Sequence, residues 1–417
     1  MSILVRCVCG KAMNVKDEHA GKRGRCPACG AIIDIPAATT TQPSTPPATA
    51  PRPAATTLPA GPPVAPPSHA APLYEGLSER APRLGNRMYA VLLLALVPLI
   101  WNTLSDPDDT MRRLAQTIKA NPEVARQFEQ REDATIDDLL LALPDHRVQG
   151  AMVARDSWVH WGMALAAGGL FFALAMVTLR SRDHKPRPLL IVGLFTGTLG
   201  ILLLLGFQYV ADWTQGVWVR GRGIVTILFY IVKFIGFSYR AAEDPSNGFL
   251  LSFVGYTCGV GFCEEVCKAL PLLWHFRTQG KLTWRGAWVW GLVSGAGFGV
   301  AEGILYSSRY YNGLSTGGIY GVRFLSCVAL HAIWSAAVGV MLYRRQDLFR
   351  TAEGFLGMVA QTIVVIAVPM VLHGLYDTLL KQDYAVWALV AAVASFAWLA
   401  WQVERTVRQE RTNALPV

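Results

Sequence analysis

Seven ionisable side chains stand in stretches otherwise apolar enough to exclude them: Glu264, Glu265, Lys268, Glu302, His331, His373 and Asp377. The first stretch, Phe262-Cys-Glu264-Glu265-Val-Cys-Lys268-Ala-Leu-Pro271, sets two adjacent carboxylates before a lysine. On a helix Lys268 lies one turn from either acid, so it neutralises one and leaves the other over. Adjacent carboxylates that share one cation in a low dielectric have their proton affinities pushed apart, which is how a general acid or base is prepared. In the second stretch Gly291, Gly295, Gly299 and Gly303 recur every four residues, a flat stripe for close helix packing. Glu302 borders that stripe and should face protein. His331 stands in the third, with Arg323 nearer its start, and His373-Gly-Leu-Tyr-Asp377 forms the fourth. An i to i+4 His/Asp pair shares one helical face and can orient an imidazole for acid/base work or for metal binding.

Each piece alone has a bland explanation. Glu264 and Lys268 could be a buried ion pair whose desolvation cancels its Coulomb gain, His331 a hydrogen-bonded structural residue, and the glycines mere spacers. A charge near a bilayer centre, however, costs about 2.5–3.5 kcal/mol on insertion scales, and four consecutive segments carry such groups. We read them together as a functional constellation.

The elements that must position these residues are membrane helices. The chain has 417 residues, 52% of them hydrophobic and only 16% charged, and its mean hydropathy is +0.32, outside the ordinary soluble range. Apolar runs near the roughly 20 residues a bilayer requires begin near Met88, Trp158, Leu189, Phe249, Gly286, Val322, Phe355 and Ala385. The net charge of +9 sits in short hydrophilic joints, at 180–187, 277–285, 344–350 and 404–411. That is the positive-inside pattern of a membrane protein, and no nucleic-acid partner is expected. Placing all four joints on one side forces the run 224–239, which contains Lys233, not to cross. The expected fold is therefore an all-α polytopic membrane protein with about eight transmembrane helices plus one re-entrant or interfacial helix; nine spans is the alternative.

Before the membrane part, Cys7-Val-Cys9 and Cys26-Pro-Ala-Cys29 bracket a short basic stretch. A segment this small cannot bury enough apolar surface to fold alone, and four thiolates around a structural zinc ion would supply the missing stabilisation. With no apolar signal segment before Cys7, these thiols are expected to stay reduced in the cytoplasm. The first pair is spaced C-x-C where a ribbon knuckle usually has C-x-x-C. The expected divisions are a zinc-ribbon-like module at 1–36, a disordered Pro/Ala/Thr-rich linker at 37–86, a first transmembrane helix at 87–104 and an extracytoplasmic helical insertion at 105–156. Accessory transmembrane helices at 157–248, a core at 249–402 that holds the ionisable residues, and a cytoplasmic tail at 403–417 complete the chain.

The ordered set Glu264-Glu265-x-x-Lys268, Phe298-x-x-x-Glu302, His331 and His373-x-x-x-Asp377, each on its own span, resembles the PrsW family of intramembrane proteases, which is distantly related to the type II CAAX prenyl endopeptidases. Lys268 and Asp377 stand where the CAAX enzymes usually have Arg and Asn, which favours the PrsW branch. The resemblance covers roughly Phe249 to Leu380. It implies helices around a polar cavity, in a bacterial-type inner membrane with the amino terminus in the cytoplasm, and hydrolysis of peptide bonds in membrane-associated proteins. In that reading Glu264 or Glu265 is the base, His331 or His373 stabilises the oxyanion or carries a proton, Asp377 orients His373, and Lys268 tunes the carboxylate pair. Glu302 shares the proton or binds an ion, and a catalytic divalent metal on the same residues is equally compatible. The implied partners are a membrane-protein substrate, the lipid bilayer and a cytoplasmic protein for the ribbon. Competing readings are a non-catalytic membrane scaffold and an ion or proton pathway, although the chain shows neither the internal repeat nor the paired broken helices common in transporters.

Overall fold

The structure is a computed structural model that describes residues 2–6, 12–25, 32–36, 92–104, 110–129, 131, 133–178, 185–278, 282–352 and 354–414. Two units result, Met1–Leu77 and Ser78–Val417. The first contains two antiparallel hairpins, β1 (Ser2–Arg6) with β2 (Ala12–Lys16) and β3 (Arg23–Arg25) with β4 (Ile32–Asp34). Val5 and Ile35 are its buried apolar side chains among the described residues. Cys7, Cys9, Cys26 and Cys29, and the linker after them, lie outside the described residues.

The second unit begins with α1 (Leu92–Leu104). Three short helices come next, α2 (Thr110–Ala120), α3 (Pro122–Glu129) and α4 (Ile136–Ala142). Then come α5 (Val159–Thr178), α6 (Pro186–Gly216), α7 (Ile224–Glu243), α8 (Phe249–Thr278), α9 (Trp284–Tyr311), α10 (Gly317–Arg344), α11 (Gly354–Lys381) and α12 (Ala385–Ala414). Among the described residues, the eight helices α5 to α12 are long and apolar enough to cross a membrane. Leu, Val, Ile and Phe project from nearly every face of these helices, as expected when lipid or another helix replaces water on all sides.

Contacts between helix ends establish how they run. At one end Arg277 of α8 donates to the Arg350 carbonyl, Arg344 of α10 donates to Gln402 of α12, and Leu189 of α6 belongs to the same apolar cluster as Trp284 and Trp288 of α9 and Val403 of α12. Arg277, Arg285, Arg344, Arg350 and Arg405 therefore gather at that end. At the other end Asn312, after α9, donates to the Ser157 carbonyl before α5, and Lys381 of α11 donates to Asp244 and Ser252, which flank the junction of α7 and α8.

Helix α7 has both flanks at this second end. Arg240 binds Asp212 of α6 at 2.6 Å, Lys233 donates to the carbonyls of Thr214, Gln215 and Val217, and Asn247, just after α7, meets Gln382 beyond α11. By length and composition α7 qualifies as a span, while these contacts hold both of its flanks at one end of the bundle, as an interfacial or re-entrant helix requires. Its lysine is satisfied by the open carbonyls that end α6, where a cation is favoured. Helix α1 starts with Leu92 in the cluster of Trp288 and Val403 and reaches Gly321 near the opposite end through Pro98.

The insertion has its own small core of Val124, Leu140, Leu143 and Val148. Thr135 and Asp138 form a capping box at the start of α4, and the Thr135 hydrogen bonds hold the Asp138 carboxyl below its usual range. The insertion docks on the α9–α10 connection, with Val148 N–H donating to Gly313 O at 2.8 Å and Met152 N–H to Ser315 O at 3.0 Å. Gly313 is required there, because its φ is +83° and an added Cβ would crowd Leu140 and Arg155.

Candidate active site

The seven ionisable residues singled out from sequence converge inside the bundle, on α8 (Glu264, Glu265, Lys268), α9 (Glu302), α10 (His331) and α11 (His373, Asp377). The glycine stripe is what lets them meet. A Cβ at Gly291 or Gly295 would overlap the backbone of Ser335 or His331, and one at Gly299 would lie 3.0 Å from the His331 ring. The stripe of α9 therefore seats α10 at backbone distance, with His331 against it. On the far side, a Cβ at Gly261 would lie 2.8 Å from the Met370 carbonyl oxygen, and one at Gly374 would run into Thr257, which brings α8 against α11.

Wide π-helical turns precede two of the motifs, Tyr256–Gly261 before Glu264 and Val322–Cys327 before His331. Such a turn adds a residue to the helix and rotates the residues beyond it, a device common at functional sites. Here it changes which faces of α8 and α10 look at each other.

The two adjacent acids have different surroundings. Glu265 is fully buried, with Lys268 Nζ 2.7 Å from its Oε1 and His373 Nδ1 3.2 Å from the same oxygen. Glu264 Oε2 is 3.6 Å from Lys268 Nζ, 3.6 Å from His373 Nε2 and 4.0 Å from His331 Nδ1. Among the described residues it has no hydrogen-bond partner. The carboxylate left over by the lysine is therefore Glu264.

The imidazoles are held by these acids and by the lysine. An ammonium group can only donate, so Lys268 Nζ donates to His331 Nδ1 at 3.0 Å, and His331 carries its hydrogen on Nε2, 2.7 Å from Glu302. Arg323 lies 2.6 Å from the other oxygen of Glu302, with its guanidinium 4.1 Å from the centre of the Tyr306 ring. His373 Nδ1–H donates to Glu265, which turns Nε2 toward Glu264 and toward Asp377, 3.4 Å away. With 24% of its side chain exposed, Asp377 is the most accessible acid of the cluster.

Three supporting residues were not assigned a role from sequence. Trp334 stacks on His373 with ring centres 4.3 Å apart and donates from Nε1 to Ser395 of α12. Ser294 donates to the Lys268 carbonyl, and Arg323 anchors Glu302. The available signal for Trp334 is its position three residues after His331, one turn along the same face.

One carboxylate oxygen of Glu264 and one ring nitrogen each from His331 and His373 lie within 4.8 Å of one another, all buried. Two imidazoles and a carboxylate are the donor types of a catalytic zinc site that keeps a position open, and the Glu264 oxygen, buried without a hydrogen bond among the described residues, fits such a role. The comparison with curated proteins gave no match, and neither did that with solved structures. A protein-family model described as PrsW family intramembrane metalloprotease matches residues 185–401, just over half of the chain and all seven clustered residues. With that match laid over the buried Glu/His/His cluster, the chain belongs to the PrsW family of intramembrane metalloproteases.

Proposed function

We propose that the cluster hydrolyses peptide bonds of membrane-anchored proteins with water activated at Glu264. The observation that carries this reading is the asymmetry of the acid pair: Glu265 Oε1 is held by Lys268 at 2.7 Å and His373 at 3.2 Å, whereas the same two groups stand 3.6 Å from Glu264 Oε2, which faces both imidazoles.

Glu264 Oε2, His373 Nε2 and, once Lys268 released its Nδ1, His331 would hold the divalent metal that the family description implies. When bound, such an ion polarises a carbonyl and acidifies a water. Where no ion occupies Glu264 Oε2 and His373 Nε2, the chain's own residues move the protons. Glu264 Oε2 takes the proton of the attacking water. His373 Nε2, turned inward by the Glu265 hydrogen bond, carries a proton to the leaving amine, and Asp377 beside it balances the imidazolium that forms. Lys268 cancels the charge of Glu265 and fixes the His331 tautomer, so the spare negative charge of the pair stays on Glu264.

The positive-inside pattern puts the end with Arg277, Arg285, Arg344 and Arg405 in the cytoplasm, with the amino terminus on that side and the 105–156 insertion outside, in a bacterial-type inner membrane. A structural zinc on Cys7, Cys9, Cys26 and Cys29, with a cytoplasmic protein partner for that module, completes the proposal.

The test is cleavage of membrane-anchored reporter peptides by the full chain in lipid, wild type against Glu264→Gln, with and without a chelator. A Cys7→Ser/Cys26→Ser variant controls for metal at the amino-terminal module. We expect cleavage by wild type and none by Glu264→Gln. Chelator sensitivity reversed by zinc would assign Glu264 Oε2 to the metal, and insensitivity would assign it to proton transfer alone. Full activity in Glu264→Gln would sink the proposal.

A further inference from the structure

At the basic end of the bundle, away from the catalytic cluster, α10 and α12 border a groove of about 390 Å³. Its polar wall carries Arg344, Arg345 and Arg405, and its apolar wall includes Met341, Trp398 and Trp401. Arg344 Nη1 donates to Gln402, a buried residue of α12, at 2.8 Å. The Arg405 guanidinium lies 5.4 Å from the centre of the Trp401 ring, whose neighbour Trp398 is 4.9 Å away at an interplanar angle of 33°.

Among the described residues none of these three arginines has an ion-pair partner, although carboxylates are close in sequence. Glu404 pairs with Arg408 at 2.7 Å, and Glu410 accepts from the Tyr343 hydroxyl. Three guanidinium groups around one groove repel each other and raise the local positive potential, so an anion that binds there relieves the repulsion. The planar donor fork of arginine matches phosphate oxygens in pairs. The tryptophans belong to the level where acyl chains meet headgroups, and the exposed apolar face of α12 continues through Ala397, Ala394, Val393 and Val390 toward the membrane interior.

We propose that this groove is a binding site for the phosphate group of an anionic phospholipid, with its acyl chain against Met341 and Trp398. A free phosphate would use the arginines but not the apolar wall. The bound headgroup ties the end of α10 to α12, the pair of helices joined deeper in the membrane by the Trp334–Ser395 hydrogen bond. The inference stands apart from the peptidase reading, and its test needs no activity.

The experiment places the full chain in nanodiscs of phosphatidylcholine with a minor fraction of phosphatidylglycerol and counts retained lipid by native mass spectrometry. Wild type should retain phosphatidylglycerol preferentially, and Arg345→Gln/Arg405→Gln, which leaves the Arg344–Gln402 bond in place, should reduce that retention by about tenfold. Lys185→Gln/Arg187→Gln removes the same charge near the start of α6 and should leave retention unchanged. An equal loss in both variants would show a diffuse basic surface and overturn the site. If inorganic phosphate in detergent raises the melting temperature as much as phosphatidylglycerol does, the occupant is free phosphate and the lipid assignment fails. Should the double variant not fold, Trp401→Glu, at an exposed position, sets a carboxylate beside Arg405 and is expected to reduce retention in the same way.

Discussion

Glu264 and Glu265 are neighbours in sequence and unlike in role. Glu265 is half of a fully buried ion pair with Lys268, and removing one member of such a pair strands the other charge. Glu265→Gln is therefore expected to lower stability by about 3–5 kcal/mol, read as a fall in melting temperature in detergent, together with loss of cleavage. Glu264→Gln strands no cation, because Lys268 keeps Glu265 at 2.7 Å. It should leave the melting temperature near wild type while cleavage falls by about 10²–10⁴-fold, the contribution typical of a general base. An unfolded Glu264→Gln, or an active Glu265→Gln of full stability, would reverse the assignment. The Glu-Glu-x-x-Lys spacing shows that one acid is left over. It does not show which, because the lysine reaches i−3 and i−4 alike and the choice falls to His373, which arrives from a helix a hundred residues away. Trp334 acts through His373 and is a positioning residue. Trp334→Ala should cost about 3–5 kcal/mol as a large core truncation. Trp334→Phe keeps a ring for the stack but leaves the Ser395 hydroxyl without its donor, for about 0.5–1.5 kcal/mol.

The decisive elements are α9 and α10, held at backbone distance by the glycine stripe. Gly295→Ala would drive a Cβ into the His331 carbonyl, which is backbone and cannot turn aside, so α10 must move and carry His331 with it. A loss of about 1–3 kcal/mol, the usual cost of overpacking, should come with a larger fractional loss of cleavage than of folded protein. Gly169 of α5 is the control: a Cβ there meets nothing within 4 Å, and Gly169→Ala should be neutral or stabilise by roughly 0.5–1 kcal/mol. Equal melting temperatures for the two variants would remove the stripe from the account. The stripe was legible as a four-residue repeat, and so was its consequence that Glu302 faces protein. The π-helical turns before Glu264 and before His331 were not legible, since an inserted residue within a helix leaves no mark in an apolar run.

For the whole molecule, the path of the chain rests on α7. Contacts at both of its flanks place them at one end of the bundle, although length and composition would let it cross. Cysteines introduced by Gly221→Cys and Ser246→Cys should thus be labelled by a membrane-impermeant thiol reagent from the same side as Gln149→Cys in the insertion, and Thr412→Cys from the opposite side. Labelling of the 221 and 246 positions from opposite sides would make α7 a span and reverse everything before it. The sequence by itself determined that the membrane part is all-helical, which ionisable residues gather in its interior, and that the chain is of the PrsW type. These conclusions rest on side-chain type and helical spacing, because a bilayer forbids both charge and unpaired backbone unless a reason is built in. Only the tertiary structure decided that Glu264 is the acid held less closely by Lys268 and His373, that Arg323 and Trp334 brace the imidazoles, and that Arg345 and Arg405 share a groove. Each depends on atoms brought together from different helices, and the spacing within any one helix carries no record of its neighbours.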